Sequence, residues 1–480
     1  MNTAINFDNS YRRLPERFYS AQMPTPVVSP QIIQVNEGLA AKLALDLDWL
    51  RSDGGLAALA GNKIPGGAEP IATVYAGHQF GNWNPQLGDG RAVLLGELVS
   101  VDGERFDIQL KGSGRTPYSR GGDGRAPLGP VLREYIVSEA MFALGIPTSR
   151  SLAVVTSGEM VMREEALPGA VLTRIASSHI RIGTFQYFAA RGDTEALKIL
   201  ADHVIQRHYP DASGSDEPYL ALLEAAMETT ATLVSNWQQV GFIHGVMNTD
   251  NMLLSGETID YGPCAFMDTY LPGMVFSSID TGGRYAYRNQ PAIAKWNLTA
   301  LAQCLLPLIA DDEEKAVEKA KAFLDNFDGI YSRHYQSGMG QKIGLSSLDE
   351  QDEALVSDLL ELMTEESMDY TLTFTALQEH LSQDITSLPE SFSPWLSRWR
   401  ARLDREVNSE SLMTIKNPLI IPRNHRIEEV ISSAVNEQDF QPFHVLVDVL
   451  RNPYETSLRD SHYAMAPTEQ QKVHRTFCGT

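Results

Sequence analysis

The residues of this chain that could do chemistry lie in a few short stretches. His244-Gly245-Val246-Met247-Asn248-Thr249-Asp250-Asn251 ends in a carboxylate followed by a carboxamide, and a second carboxylate stands in Asp260-Tyr261-Gly262. An aspartate can take a proton from a hydroxyl, and Asp and Asn oxygens suit hard cations such as Mg²⁺ or Mn²⁺. Taken alone, the stretch is equally a polar turn, with His244 capping it and the aspartates in Asx-turns. Arg174 in Leu172-Thr173-Arg174-Ile175 and Arg181 in His179-Ile180-Arg181-Ile182 have apolar neighbours, where an unpaired charge is costly. Each needs an anion, either a polyphosphate or a structural Asp or Glu. Gly88, Gly90 and Arg91 form a glycine-rich stretch whose amides can approach phosphate closely. Asp123-Gly124, in a second glycine-rich stretch, is by itself an ordinary turn.

The elements that must position these residues can be read from periodicity. Ala92–Val99, then Asp102-Gly103, then the alternating Phe106-Asp107-Ile108-Gln109-Leu110 predict a β-hairpin ending at Lys111. Residues 112–130 hold six glycines and predict a loop. Leu132–Leu144 has helical spacing and stops at Gly145-Ile146-Pro147, so Glu134 and Glu139 ride on one helix. Strands are expected at Leu152–Thr156 and Ala170–Ile175. Helices are expected at Thr194–Arg207, Tyr219–Val240 and Asn297–Ile309, and in an interrupted run from about Glu313 to Arg405. Nearer the start, Ile32–Leu59 reads as a helical pattern broken by Gly54-Gly55.

This order, a β-rich part followed by an α-rich part, has the layout of a protein kinase. His244 and Asn251 keep the spacing of the kinase H-R-D-x-x-x-x-N loop, Asp260-Tyr261-Gly262 takes the D-F-G position, and Lys111 with Glu134 matches the lysine–glutamate pair that positions phosphates. Glu139 competes for that pairing. Val246 departs from the pattern, because it stands where a kinase has its catalytic Asp and valine cannot accept a proton. Asp250 is the nearest carboxylate that could act instead.

Composition narrows the class. The 480 residues allow two lobes and a sizeable core. A net charge of −22 argues against general nucleic-acid binding, so any phosphate ligand must meet local positive charge. No apolar stretch of spanning length and no signal peptide are read, which predicts a cytoplasmic protein without membrane partners. The cysteines, Cys264, Cys304 and Cys478, have no metal-ligand spacing, and at most one redox-sensitive pair is expected.

With these residues in view, the chain resembles the selenoprotein O family, as a bacterial, cysteine-containing member. The resemblance runs over essentially the whole length through Tyr75-Ala76-Gly77-His78-Gln79-Phe80-Gly81, Gln86-Leu87-Gly88-Asp89-Gly90-Arg91, Gln109-Leu110-Lys111-Gly112-Ser113-Gly114, Ser178-His179-Ile180-Arg181-Ile182-Gly183-Thr184-Phe185 and Met247-Asn248-Thr249-Asp250-Asn251-Met252. It implies an α+β, protein-kinase-like fold with a β-rich N-lobe (71–185) and an α-rich C-lobe (186–410), between extensions at 1–70 and 411–480. It implies a pseudokinase that moves AMP from ATP to protein Ser, Thr or Tyr hydroxyls, with ATP reversed relative to kinases and UTP left open as a second donor. Gly88, Gly90, Arg91, Lys111, Asp123, Gly124, Arg174 and Arg181 would bind the nucleotide, and Glu134 would pair with Lys111. Asp250 would be the base, and Asn251 and Asp260 would hold Mg²⁺ or Mn²⁺. Cys478 stands where relatives carry cysteine or selenocysteine, and pairing with Cys264 is the expected redox link. Two other readings share these residues: a phosphotransferase of the same fold, and a non-catalytic nucleotide-binding scaffold.

Overall fold

A computed structural model of the chain describes residues 5–383 and 387–477. Ten strands belong to its first part: β1 Tyr19–Ala21, β2 Gln31–Val35, β3 Ile71–Thr73, β4 Gly77–Gln79, β5 Asn82–Asn84, β6 Ala92–Val99, β7 Arg105–Lys111, β8 Ala126–Pro127, β9 Arg150–Met162 and β10 Ala166–Ala176. Eight form one antiparallel sheet in the order β1-β3-β6-β7-β10-β9-β2, with β8 on β10, while β4 and β5 make a separate ribbon.

The hairpin β6–β7 is where the alternation predicted it, and the two-residue period sorts its side chains. Phe106, Ile108 and Leu110 enter an apolar core with Leu95, Leu98 and Val155. Asp107, Gln109 and Lys111 therefore share the opposite face. Arg174 on β10 lies directly across from Gln109, which brings it to that face too.

Four helices attend the sheet: α1 Glu37–Lys42, α2 Leu47–Arg51, α3 Asp53–Leu59 and α4 Leu128–Ala143. The region from Ile32 differs from the expected broken helix. It opens as strand β2, and Gly54-Gly55 lies inside α3 rather than ending a helix. A Cβ on Gly55 would come within 2.1 Å of the Trp49 carbonyl, so that glycine permits the close turn between α2 and α3. Helix α4 starts at Leu128, before the expected Leu132 and inside the predicted loop.

From Ile182 onward the chain is mostly helical. Helices α5 Ile182–Ala189, α6 Thr194–His208, α7 Pro218–Gln239 and α8 Gln290–Ile309 lead into further helices between Glu313 and Leu450. A short ribbon, β11 Phe242–Ile243 with β12 Ala265–Phe266, brackets the 244–262 loops. Tyr287–Ile309 is long and apolar enough to cross a membrane, with mean hydropathy 1.3, contrary to the expectation of no such segment. Half of that window is buried in the core, and its buried polar residues support the loops. Gln290 accepts from His244 N–H and donates to Phe242 O, and Asn297 donates to Met247 O.

Candidate active site

Glu134 is the carboxylate that meets Lys111. Five residues separate Glu134 from Glu139, a rotation of about 140° around a helix, so both cannot face one lysine. Lys111 Nζ lies 2.5 Å from Glu134 Oε2 and 3.0 Å from Asp260 Oδ1. Glu139 turns instead to Arg150 at 2.7 Å and to Asn36.

Arg174 completes this group. It is 2% exposed, with Nη2 2.6 Å from Glu134 Oε1 and 2.8 Å from Asp260 Oδ1. Its anionic partners are thus carboxylates of the chain itself, although its side chain also lines the cleft described below. Arg181 is buried too. Its Nη1 donates to Tyr75 Oη and to the Asp250 carbonyl, both at 3.0 Å, and its guanidinium stacks over the Tyr75 ring. Burial alone would raise the proton affinity of Asp260, but Lys111, Arg174 and Arg181 hold its carboxyl well below the usual range. Asp260 also has φ of 62°, a left-handed backbone that costs a non-glycine residue energy and persists because the side chain is pinned.

The 244–251 loop is tied to Asp260 through His244. The buried imidazole shares a 2.9 Å hydrogen bond with Ile259 O through Nε2, and its Nδ1 accepts from Val246 N–H, so a single neutral tautomer satisfies both contacts. Burial lowers its pKa to about 4, in keeping with that form. Asn251 Nδ2 donates to Val246 O, which leaves Oδ1 for another partner.

Asp250 is 6% exposed. Its Oδ2 accepts from Gln79 Nε2 at 3.0 Å, while Oδ1 has no hydrogen-bond partner among the described residues. Burial raises its pKa to about 6, against the pull of Gln79 and Arg181. Gly77 is needed beside it, since a Cβ there would stand 2.7 Å from Asp250 Oδ1.

These residues border one cleft of about 880 Å³. Gly88, Gly90, Arg91, Lys111, Asp123, Gly124, Arg174, Arg181, Asp250, Asn251 and Asp260 all line it, and Glu134 stands just behind. The two glycine-rich stretches form one wall by packing on each other. A Cβ on Gly88 would strike the Tyr118 ring at 2.4 Å, and one on Gly90 the Tyr118 carbonyl at 2.8 Å. Asp123 pairs with Arg163 at 2.9 Å, which draws a further cation to the rim.

Several lining residues were given no role from sequence. Tyr75 and Gln79 belong to a stretch that carries the family resemblance, and Asp89 sits between the two glycines. Asp89 accepts from Thr73 N–H and Oγ1. Their one sequence signal was membership of those motifs. Cys264 is buried, four residues past Asp260, and Cys478 lies outside the described residues.

The donor set suits a hard divalent cation. Asn251 Oδ1 and Asp260 supply oxygen only, and no group of three or more His, Cys, Asp or Glu with metal-binding geometry occurs among the described residues. One or two protein oxygens together with a substrate's phosphates can hold such an ion.

Comparison with known proteins identifies the family. The family described as Protein adenylyltransferase SelO matches residues 2–451. The chain is 55% identical to a protein of Bradyrhizobium diazoefficiens named Protein nucleotidyltransferase YdiU, with all of both chains covered. It is 54% identical to proteins of the same name from Methylorubrum populi and Rhizobium etli, covering all of this chain and 100% and 98% of theirs. The cleft's residues and the full-length match lead to one conclusion: the chain belongs to the SelO family of protein adenylyltransferases.

Proposed function

We propose that this cleft transfers AMP from ATP to Ser, Thr or Tyr hydroxyls of proteins and releases pyrophosphate. One observation carries the reading: seven Lys and Arg side chains line a single cleft of a chain whose net charge is −22. The names of the family and of the relatives support the same activity.

In this reading the triphosphate enters reversed. Its β- and γ-phosphates meet Lys111, Arg174 and Arg181, and its α-phosphate faces Asp250. Gly88, Gly90, Arg91, Asp123 and Gly124 bind the rest of the nucleotide. Asn251 and Asp260 hold Mg²⁺ or Mn²⁺, which when bound offsets phosphate charge. The acceptor oxygen attacks the α-phosphorus, the α–β bridging bond breaks, and the hydroxyl proton passes to Asp250 Oδ1. Pyrophosphate leaves against cations already fixed in position, so little reorganisation is needed as charge develops. Val246 cannot serve as base, and the buried, uncommitted oxygen of Asp250 can.

A two-lobed kinase-like architecture, with lobes at 71–185 and 186–410 between extensions, and a cytoplasmic setting are part of the same proposal. So is a redox link between Cys264 and Cys478. Thr476, two residues before Cys478, donates from Oγ1 to Pro263 O at 2.5 Å, immediately beside Cys264. Peptide mapping of oxidised protein that found both thiols unlinked would remove that link.

The central test is which phosphate moves. With divalent metal, α-labelled ATP should label protein and γ-labelled ATP should not, with a mass gain equal to AMP; α-labelled UTP tests the second donor. Label arriving from the γ-position alone would make the chain a kinase. Label from neither, with ATP bound, would make it a scaffold.

A further inference from the structure

The β4–β5 ribbon stands apart from the main sheet and has two surfaces. Its inner surface clamps the loop that carries Asp250. His78 N–H donates to Thr249 Oγ1, Phe80 N–H to Asn248 Oδ1, and Gln79 to Asp250. Gln79 and Phe80 also line the cleft, so the ribbon continues the wall at which a reacting hydroxyl must arrive.

The outer surface is aromatic. Trp83 is 40% exposed and packs tilted against His78 at 4.8 Å, and His78 meets the 36%-exposed Trp296 of α8 edge-on at 5.1 Å. Arg284 lies over the Trp296 ring at 4.8 Å. Two large apolar rings are thus left partly exposed on either side of one histidine, and contiguous exposed apolar surface is a feature of interaction sites. Trp and Arg are also the residues that carry most energy at protein interfaces.

Charge identifies the partner. The chain has 61 acidic against 39 basic side chains, yet among the described residues neither Arg284 nor Arg191 enters an ion pair. Arg284 flanks the ribbon at Gly81, and Arg191 donates to Pro85 O where the ribbon ends. Arg284 Nε is buried with no hydrogen-bond partner among the described residues. Screening limits the field felt by a docked segment to groups within about 8 Å. Such a segment would meet these two cations first, since the nearby Asp280 carboxylate is buried and accepts from Arg284 N–H and Tyr285 N–H, and Asp193 beside Arg191 lies 3.4 Å from Arg17.

We propose that the outer face of the β4–β5 ribbon, with Trp83, Trp296, Arg284 and Arg191, docks the acceptor protein through a segment bearing acidic and apolar side chains beside the hydroxyl. This rests on the reading of Asp250 as proton acceptor. Acidic groups pair with Arg284 and Arg191, and apolar groups cover the tryptophans.

The test uses two short serine peptides, one flanked by Glu and Leu and the other by Lys and Leu. Their binding to the full Asp250→Ala chain with ATP and Mg²⁺ is read by fluorescence anisotropy. The acidic peptide should bind about tenfold more tightly. Arg284→Glu should abolish or invert that preference, Trp83→Ala with Trp296→Ala should weaken the acidic peptide about tenfold, and ATP affinity should stay unchanged in all. Arg284→Gln and Trp83→Gln serve as milder variants if the others fold poorly. Equal binding of both peptides, a preference untouched by Arg284→Glu, or a matching loss of ATP affinity would overturn the docking site. Residual AMP transfer by the Asp250→Ala chain would instead refute the base assignment, and the binding result would still stand.

Discussion

Arg174 Nη2 lies 2.8 Å from Asp260 Oδ1, across 86 residues of sequence, inside a site where Arg174 itself is almost fully enclosed. The contact makes Arg174 a brace as well as a proposed nucleotide ligand. It fixes Asp260 in a left-handed backbone, joins it to Glu134, and still presents a guanidinium to the cleft.

Arg174→Met should therefore fail in two ways. Buried Glu134 and the quarter-exposed Asp260 would be left with Lys111 as their main cation, at a cost of about 3 kcal/mol of stability, and transfer should fall at least 100-fold. Arg174→Lys keeps the charge but cannot reach both carboxylates through a planar fork, so its losses should be intermediate. Thermal denaturation and α-label incorporation measure the two effects separately.

Asp260→Ala should abolish transfer and metal-dependent nucleotide binding, because it would remove the proposed charged oxygen ligand while Lys111 and Arg174 remain. Electron paramagnetic resonance of Mn²⁺ in the presence of ATP reads the loss without relying on turnover. Wild-type Mn²⁺ affinity in the variant would exclude Asp260 as a ligand.

Gly77→Ala introduces a methyl group 2.7 Å from Asp250 Oδ1 and 3.1 Å from its Cβ. The carboxylate must shift, and kcat should drop by about 10- to 100-fold, in line with the sensitivity of catalysis to a misplaced group. The dissociation constant of ATP should change little. Initial rates alongside calorimetric ATP titration separate the two, and an unchanged kcat would show that the position of Asp250 does not matter.

Lys342 supplies a pH-dependent test away from the cleft. It is 2% exposed, its Nζ sits 4.1 Å from the Phe374 ring centre, and burial with the nearby Lys416 lowers its pKa to about 7 from an ordinary 10.5. The unfolded chain then binds more protons between pH 7 and 10.5, so this group makes stability rise with pH across that window, and its full penalty applies below about 7. Lys342→Met should stabilise the protein at pH 7 by about 4 kcal/mol. That gain should shrink as the pH approaches 10. Denaturant melts at several pH values would show it, and a gain independent of pH would point to packing alone.

Much of the fold and site was legible because local rules set it. The period of two in Phe106–Leu110 built β7 and sent Lys111 and Gln109 to one face. The spacing of His244, Asn251 and Asp260 gave the loops, and the stop signals ended α4 near Gly145. Asp250, as the carboxylate nearest the position held by Val246, was visible in the same way.

What the sequence could not decide were matters of packing between distant segments. Glu134 was chosen over Glu139 by helix rotation against β7, and the start at Ile32 became a strand because β9 offered an edge to pair with. Gly88 and Gly90 were expected to be glycine for a phosphate, yet each is also required because a Cβ would strike Tyr118. Gln79 gained its contact with Asp250 when the ribbon folded onto a loop some 170 residues away, Tyr75 its contact with Arg181 across 106 residues, and Arg284 its place over Trp296 when α8 packed beside the ribbon. Hydrophobic periodicity and turn chemistry act over a few residues, so the sequence by itself determined the elements and the reactive groups. Which of those groups share one desolvated cleft was decided by the tertiary structure, because only packing removes the water that would otherwise keep their charges apart.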